Sequence, residues 1–355
     1  MKSEKNLLIL NLGIDSNDTS LGFTQTWINE LNKEYKRVDV ITMRLGKSDL
    51  NEEIGIFPVN EEGGKLTKFN QIKKIHKTFK HVLNNCNYDH CFAHMSPLIL
   101  VIGSRQLKTK GIKSTLWFTH PGPKFGVKKI VLLIASFVAN SIVTASKHSF
   151  PFKFKKLNIV GHGIDFSRFE KKERSSINKF LYLGRISESK KVHVIVEKFL
   201  RFNEANNNNY SLTLIGGPLN SADDKYLRDI KELIDNNPKI KLIGKIPHKD
   251  LSRVIKDFDC NINIAKKGFF DKAVLETLYS GMINICLSED YKQFYPKEYH
   301  NKLFVNEDLN QLDNIMQYLI SLENSEIDSI IKYASNKLEL HSLKTLPKRF
   351  KPIFN

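Results

Sequence analysis

Short apolar runs rich in β-formers alternate with helical patterns along the whole chain, and this alternation limits the fold more than any other feature. In the first half the apolar runs are LLILNLG, RVDVITM, HCFAHM and KSTLWFTH, with helical patterns near residues 24–32 and 72–83. In the second half FLYLG, YSLTLIGG, KIKLIGKIP and CNINIA are each followed by a helical pattern, beginning near Val192, Asp223, Lys249 and Lys272. Such alternation is typical of βαβ units and predicts an α/β fold with parallel sheets.

The length and one break in this pattern predict two domains. A chain of 355 residues exceeds the usual size of a single compact domain. The apolar pattern gives way to a charged, serine-bearing stretch within KKLNIVGHGIDFSRFEKKERSSINK. We therefore predict a first domain over residues 1–163, a linker over 164–178 and a second domain over 179–335. Ligands of open parallel sheets bind beyond the carboxyl ends of the strands, so we expect both sheets to face a central cleft.

The composition describes a folded protein with a strongly basic surface. A hydrophobic content of 41% and a charged content of 26% argue against disorder. The formal net charge of +17 fits a nucleic acid, a phosphorylated substrate or an acidic membrane leaflet, and equally a lysine-rich compositional bias. Dispersed lysines and the lack of zinc-finger spacing or an RRM-type motif argue against a nucleic-acid partner. The four cysteines show no CxxC spacing, which indicates neither a zinc site nor a disulfide framework.

No segment of the sequence has the pattern of a membrane span. The apolar core of MKSEKNLLILNLG is too short for a signal peptide, and the stretch Ile130–Val143 is shorter than the roughly 20 residues that cross a bilayer. We expect a cytoplasmic protein.

The stretch FLYLGRISESKK places cations directly after a predicted strand. Gly184 allows a sharp turn, Arg185 presents a planar fork to oxygen anions, and Lys190 supplies a point charge a few residues later. Together these residues suit a diphosphate, whereas in isolation they would be read as solvated loop cations.

The order of motifs gives this stretch a context. GRISESKKV, LIGGP, KLIGKIPHKDL, DCNINIA and FDKAVLETLYSG resemble, in order and spacing, the carboxyl-terminal half of retaining nucleotide-sugar glycosyltransferases of family 4. VGHGIDFSRF resembles the segment that joins the two domains of that family, so the resemblance covers roughly residues 160–285. It implies the GT-B fold of two Rossmann-like domains, the first binding the acceptor and the second the donor. The tail, residues 336–355, resembles the family segment that returns to the first domain.

The resemblance assigns roles to several residues of the second half. It implies that Arg185 and Lys190 hold the donor diphosphate and stabilise the leaving group, with Gly184 at the turn. It implies that Glu276 accepts hydrogen bonds from the ribose hydroxyls, the alternative being an exposed helix glutamate. Lys191 stands where the family usually has glycine and is given no catalytic duty.

The sequence departs from the family at the first acid of its paired-glutamate motif. Gly268 stands in that place, whereas variants of the form G-x-x-D-K-x-x-L-E occur in the family. The backbone N–H groups of residues 269–271 and the start of a helix at Lys272 are expected to meet sugar hydroxyls and phosphate. The donor-binding candidates of this loop are Gly268, Phe269, Phe270, Asp271 and Lys272, and Asp271 is the candidate replacement for the missing carboxylate.

The first half resembles the family less closely. DSNDTSLGFTQTWINEL is similar to its first loop, where Gly22 would let backbone approach the donor or acceptor, while Trp27 is expected in the core. His120 in LWFTHPGP corresponds to a family histidine near the donor sugar and is a catalytic candidate. His94 in FAHMSP is an acceptor-side candidate, with a core histidine as the alternative.

A basic stretch and an apolar helix follow from Lys124, a further acceptor-side candidate. KFGVKKIVLLIASFVA suits docking on an anionic leaflet, but its apolar part is better explained as a buried helix of the first domain.

We expect an enzyme that moves a sugar, with retention, from a UDP- or GDP-linked donor to a surface-glycan or lipid-linked oligosaccharide acceptor, needing no metal or cofactor. The alternative is a non-catalytic sugar-nucleotide-binding protein, a degenerate glycosyltransferase.

Overall fold

The computed structural model describes residues 2–18, 21–60 and 67–354. The chain divides into two compact units. Unit 1 comprises Met1–Asp165 together with Leu340–Asn355, and unit 2 comprises Phe166–Glu339. The boundary after Asp165 lies inside the stretch that loses the apolar pattern.

Unit 1 is built on a parallel sheet. Its strands are β1 (Ser3–Asn11), β2 (Tyr35–Arg44), β3 (Gly55–Asn60), β4 (His90–His94), β5 (Lys113–Trp117), β6 (Ser141–Thr144) and β7 (Leu157–Ile159). Its helices before the boundary are α1 (Thr24–Asn32), α2 (Lys68–Asn85), α3 (Pro97–Thr109) and α4 (Val127–Val138). In the described residues the seven strands follow the order β3-β2-β1-β4-β5-β6-β7, and all neighbours are parallel.

Unit 2 repeats the same plan with a smaller sheet. Its strands are β8 (Lys179–Leu183), β9 (Ser211–Ile215), β10 (Ile240–Gly244), β11 (Cys260–Asn263) and β12 (Ile283–Cys286). Its helices are α5 (Val192–Ala205), α6 (Ser221–Ile234), α7 (His248–Ile255), α8 (Lys272–Tyr279), α9 (His300–Leu303), α10 (Leu312–Ile320) and α11 (Asn324–Leu338). These five strands, all within the described part of the chain, are parallel in the order β10-β9-β8-β11-β12.

The tail of the chain belongs to unit 1. After α11 the backbone N–H of Ile164 donates to the carbonyl of His341 at 2.8 Å, and a last helix, α12 (Leu346–Phe354), follows. The Phe350 and Phe354 rings of α12 lie 5.1 and 5.4 Å from the ring of Phe92 in β4. Aromatic packing on the sheet therefore holds the tail.

The predicted alternation of strands and helices is confirmed. Helix α1 has the predicted bounds, and α5, α6, α7 and α8 begin within two residues of the predicted starts. The predicted core face of α5, formed by Val192, Ile195, Val196 and Phe199, is fully buried. Trp27 is buried in unit 1 as predicted, and its indole Nε1 donates to the carbonyl of Gly163 at 2.6 Å.

The prediction that the apolar part of α4 is buried is wrong for one of its faces. Leu132 and Ala135 are buried, whereas Val127, Ile130 and Phe137 are exposed, Phe137 by 66%. The helix packs against α3 and buries only one narrow stripe, so the rest of its apolar surface is exposed. Among the described residues, no helix combines the length and the hydropathy that a bilayer span requires.

Candidate functional site

The loop after β8 is fixed by backbone contacts with the neighbouring strand β9. The N–H of Gly184 donates to the carbonyl of Ile215 at 3.0 Å. A Cβ atom on Gly216 would lie only 1.7 Å from the carbonyl oxygen of Gly184, so this position of the LIGG motif must be glycine. The loop leaves the sheet in one defined direction, and Arg185 is exposed at its start.

Lys190, from the same loop, meets residues that follow β11. Its Nζ lies 2.6 Å from Oδ2 of Asp271 and 5.0 Å from the centre of the Phe269 ring. Asn263 donates to the same carboxylate oxygen at 3.0 Å. Strands β8 and β11 are neighbours in the sheet, so their carboxyl ends meet at one edge. The structure thus brings Lys190 into contact with Phe269 and Asp271, which follow it in the sequence by 79 and 81 positions.

Asp271 is held from its backbone as well as from its side chain. Its N–H donates to the hydroxyl of Tyr291 at 2.5 Å, and burial raises the pKa of that hydroxyl well above its usual value. The Phe270 ring stacks on Tyr291 at 5.0 Å and is buried, so only the backbone of Phe270 is left to meet a ligand.

The conformation of Gly268 explains why no acid stands at this position. Gly268 is buried and has φ of +92°, a region that L side chains adopt only with strain. A glutamate here would be forced into that strained conformation. The turn is therefore built for glycine, and the carboxylate nearest to Lys190 comes instead from Asp271.

Helix α8 begins beside this ion pair. Asp271 is its N-cap residue, but its carboxylate points to Lys190 rather than to the first N–H groups of the helix. The Nζ atom of Lys272 is buried, and burial lowers the pKa of Lys272 well below its usual value, partly opposed by the negative charge of Glu276. The side chain of Lys272 is therefore directed into the protein interior, and its backbone N–H is the group that it can offer a ligand.

Glu276 lies one turn further along α8 and is only 3% exposed, which rules out an ordinary surface glutamate. Its Oε1 atom lies 3.0 Å from Nε2 of His248, at the start of α7. Arg168 contacts His248 in turn, with Nη1 at 3.2 Å from Nδ1. Sequence reasoning missed both residues. His248 could have been found because it follows a predicted strand directly, as the histidine candidates of the first half do.

The candidates of unit 1 lie in different settings. His120 is half-buried, and its Nδ1 accepts from the N–H of Gly122 at 3.1 Å, so in the neutral ring Nε2 carries the hydrogen. His94 is buried, with its ring 5.2 Å from Trp27 and 6.3 Å from Trp117. An aromatic surrounding of this kind fits a core histidine.

Gly22 and Lys124 occupy loops of unit 1. A Cβ atom on Gly22 would lie 2.6 Å from the carbonyl oxygen of Asp18, so its own turn already requires a glycine. Lys124 is exposed, directly before α4. Within residues 2–18, 21–60 and 67–354, no group of three or more His, Cys, Asp or Glu side chains is placed to hold a metal ion.

Comparisons with solved structures establish the fold. Sucrose-phosphate synthase from Thermosynechococcus elongatus is 13% identical, with a TM-score of 0.79 over 99% of this chain and 98% of that one. Anabaena HepE, crystallised with UDP, is 12% identical, with a TM-score of 0.75 over 99% of both chains. WaaG, described as a glycosyltransferase involved in lipopolysaccharide biosynthesis, is 12% identical, with a TM-score of 0.66 over 98% and 99% of the two chains. The predicted GT-B class of two Rossmann-like domains is confirmed.

The family comparison concerns mainly unit 2. Comparison with curated proteins gave no significant match. A family model does match residues 163–337, which include the Lys190–Asp271 pair and Glu276. That model is described as glycosyl transferases group 1, and its match covers nearly the whole length of unit 2.

Proposed function

We propose that this protein is a glycosyltransferase that moves a sugar from a nucleoside diphosphate to an acceptor hydroxyl. The observation that carries the proposal is the meeting of Lys190 with the start of α8, at the carboxyl ends of two adjacent strands in the unit that matches the group 1 model. A cation and a helix amino terminus side by side suit a diphosphate. The alternative of a nucleic-acid-binding protein has no comparable observation in its favour.

Arg185 and Lys190 are the proposed catalytic cations. In the transfer, the bond between the anomeric carbon and the phosphate oxygen breaks while a bond to the acceptor oxygen forms, and the acceptor proton passes to the leaving phosphate. Negative charge grows on the diphosphate as it leaves, and fixed cations stabilise that charge most in the transition state. We propose that these cations and the amino terminus of α8 supply the positive charge without a metal ion. Turnover should therefore persist in EDTA.

Asp271 is the proposed partner of the donor sugar in place of the acid missing at Gly268. Its carboxylate accepts from Lys190 and Asn263, and a carboxylate has further lone pairs for a sugar hydroxyl. The proposal also includes retention at the anomeric carbon, a UDP- or GDP-linked donor and a catalytic role for His120. The UDP bound in the HepE crystal supports a UDP-linked donor.

The acceptor is proposed to be a surface glycan or a lipid-linked oligosaccharide, met at the inner face of the cytoplasmic membrane. Helix α4 and the loop before it expose Phe125, Val127, Ile130 and Phe137. Around these apolar residues lie the exposed lysines Lys124, Lys128, Lys129, Lys153 and Lys155. Phe137 contacts Phe154 at 5.3 Å, which sets the two basic segments side by side. Apolar insertion combined with a lysine rim suits an anionic leaflet, where each basic residue adds about 1 kcal/mol.

This membrane contact can be tested by sedimentation with phosphatidylglycerol vesicles at low salt. Phe125 is 84% exposed, and Phe125→Ser should lower the partition coefficient about tenfold through loss of apolar burial. Phe69→Ser is the matched control, because Phe69 is 65% exposed beside Lys73 on α2 and should leave the partition coefficient unchanged. Equal loss in both variants, or failure of the wild type to sediment, would contradict docking through α4.

The second candidate function is a sugar-nucleotide-binding protein without turnover. The glycine turn at Gly268, where the family acid would be strained, is the observation that favours it. A thermal-shift screen against UDP, GDP, ADP, CMP and their sugar conjugates tests donor binding for both candidates. At a hundred times its dissociation constant a ligand stabilises the fold by about 2.7 kcal/mol. Stabilisation by one nucleoside diphosphate supports the proposal, silence across the screen refutes both candidates, and binding without sugar release would favour the second.

A further inference from the structure

A chain of hydrogen bonds runs from Arg168 through His248 to Glu276. Nε2 of His248 lies 3.0 Å from Oε1 of Glu276, and Nη1 of Arg168 lies 3.2 Å from Nδ1 of His248. Nη2 of Arg168 also donates to the backbone carbonyl of His248 at 3.2 Å. All three residues belong to unit 2, although they lie on separate segments of the chain.

The donors in this chain fix the tautomer of the histidine. A guanidinium offers only N–H groups, so Nδ1 of His248 must accept from Arg168. The hydrogen of the neutral ring is then on Nε2, which donates it to the Glu276 carboxylate.

Arg168, at one end of this chain of hydrogen bonds, is anchored to α8, the helix that carries Glu276 at the other end. Arg168 lies in a short 3₁₀ helix, Phe166–Arg168, and the Phe166 ring stacks on Tyr279 at 4.4 Å with an interplanar angle of 12°. Tyr279 stands three residues after Glu276 on α8, hence one turn away. Arg168, His248 and Glu276 are therefore held in a closed loop of contacts rather than by one bond alone.

A carboxylate held in this way is oriented before a ligand arrives. Glu276 is buried, and the donor on Oε1 restricts the rotation of its carboxylate. Two vicinal hydroxyls can be accepted only in a limited range of carboxylate orientations, so a restricted carboxylate loses less freedom on binding.

We propose that His248, locked by Arg168, is a positioning residue that orients Glu276 to accept hydrogen bonds from the ribose diol of the donor nucleotide. The inference rests on the proposed function, since it requires that unit 2 binds a nucleoside diphosphate. It adds two residues, His248 and Arg168, to the nucleotide site.

The test compares a nucleoside diphosphate with its 2′,3′-dideoxy counterpart by isothermal titration. The probe is whichever of UDP, GDP and ADP binds best. The wild type should bind the ribose form about tenfold more tightly, as expected for charge-assisted hydrogen bonds to a carboxylate. His248→Ala should bind the ribose form about fivefold more weakly and leave the dideoxy affinity unchanged. His248→Gln should recover most of the loss, because its amide nitrogen can replace Nε2 as donor. His76→Ala, at an exposed histidine of α2, is the control and should behave as the wild type.

The outcomes separate the inference from the proposed function. If His248→Ala weakens both nucleotides equally, or neither, or if the glutamine variant recovers nothing, the positioning role is wrong. If the wild type binds both forms equally, Glu276 does not contact the diol, while the proposed donor binding stands. If no nucleoside diphosphate binds the wild type, the proposed function fails and the inference fails with it.

Discussion

Lys190→Met is expected to lower kcat/KM for the sugar donor by about 10²- to 10³-fold, the usual cost of losing one fixed charge that stabilises a leaving group. Methionine is an unbranched side chain of similar length, but it has no charge to stabilise the diphosphate or the Asp271 carboxylate. Because the charge on the leaving group grows in the transition state, kcat should fall more than KM rises. Release of nucleoside diphosphate from the donor measures both constants.

The neighbouring lysine provides the matched control. Lys191 has φ of +48°, a left-handed conformation that costs a residue with a Cβ atom about 1 kcal/mol. Lys191→Gly removes one charge from the same loop, should keep the wild-type kcat/KM, and should raise the free energy of unfolding by about 1 kcal/mol. If the Lys191 variant loses as much turnover as the Lys190 variant, the effect is one of overall loop charge and the assignment of Lys190 is wrong.

Unit 1 is expected to lose about 4 kcal/mol of stability between pH 7.5 and pH 5. Burial, aided by Lys113 and Lys5, lowers the pKa of His90 to about 3, and burial with Arg349 lowers the pKa of His341 to about 4. Both folded values lie below the unfolded value of about 6.5, so the unfolded state binds more protons and stability falls as the pH falls. The loss begins near pH 6.5 and continues to about pH 4 for His341 and about pH 3 for His90. At pH 5 each histidine accounts for about 2 kcal/mol, while most carboxylates are still ionised.

Urea unfolding followed by tryptophan fluorescence measures this loss for unit 1 alone. The only two tryptophans of the sequence, Trp27 and Trp117, both lie in unit 1, with ring centres 4.7 Å apart. His90→Gln keeps a polar partner for Thr115, which lies 2.9 Å from Nε2 of His90, but does not titrate. The variant should show about half the wild-type change between the two pH values. An unchanged pH dependence in the variant would show that His90 does not contribute to the loss of stability between pH 7.5 and pH 5.

The sequence was informative about local structure and about single site residues. Alternation of apolar runs with helical patterns predicted four strands of each sheet, and the spacing from Val192 to Phe199 predicted the buried face of α5. Strands β6, β7 and β12 were not predicted. Strand β3 was missed because Gly55 and Pro58 weaken its β pattern, which an edge strand tolerates. Helix α3 was missed because its short apolar start, PLILVI, cannot be distinguished from a strand by its period.

The pairings within the candidate site could not be predicted because they depend on strand order. Lys190 meets Asp271 only because β8 and β11 are neighbours, and the order of strands in a parallel sheet is not contained in the local pattern of either strand. The contact of His248 with Glu276 likewise joins two helices that β11 separates in the sequence. The exposed face of α4 was missed because an apolar helix has the same sequence whether one side or both sides are covered.

The most direct test of the proposed sugar transfer is to incubate the wild-type protein with a panel of UDP- and GDP-linked sugars and to follow the reaction by proton NMR. Water serves as acceptor, with a membrane lipid extract as a second acceptor source. We expect release of one nucleoside diphosphate, formation of the sugar with the anomeric configuration of the donor, and loss of both signals in Lys190→Met. A donor that binds but is never cleaved, in the presence of either acceptor, would contradict the proposed transfer, and a product of inverted configuration would contradict retention.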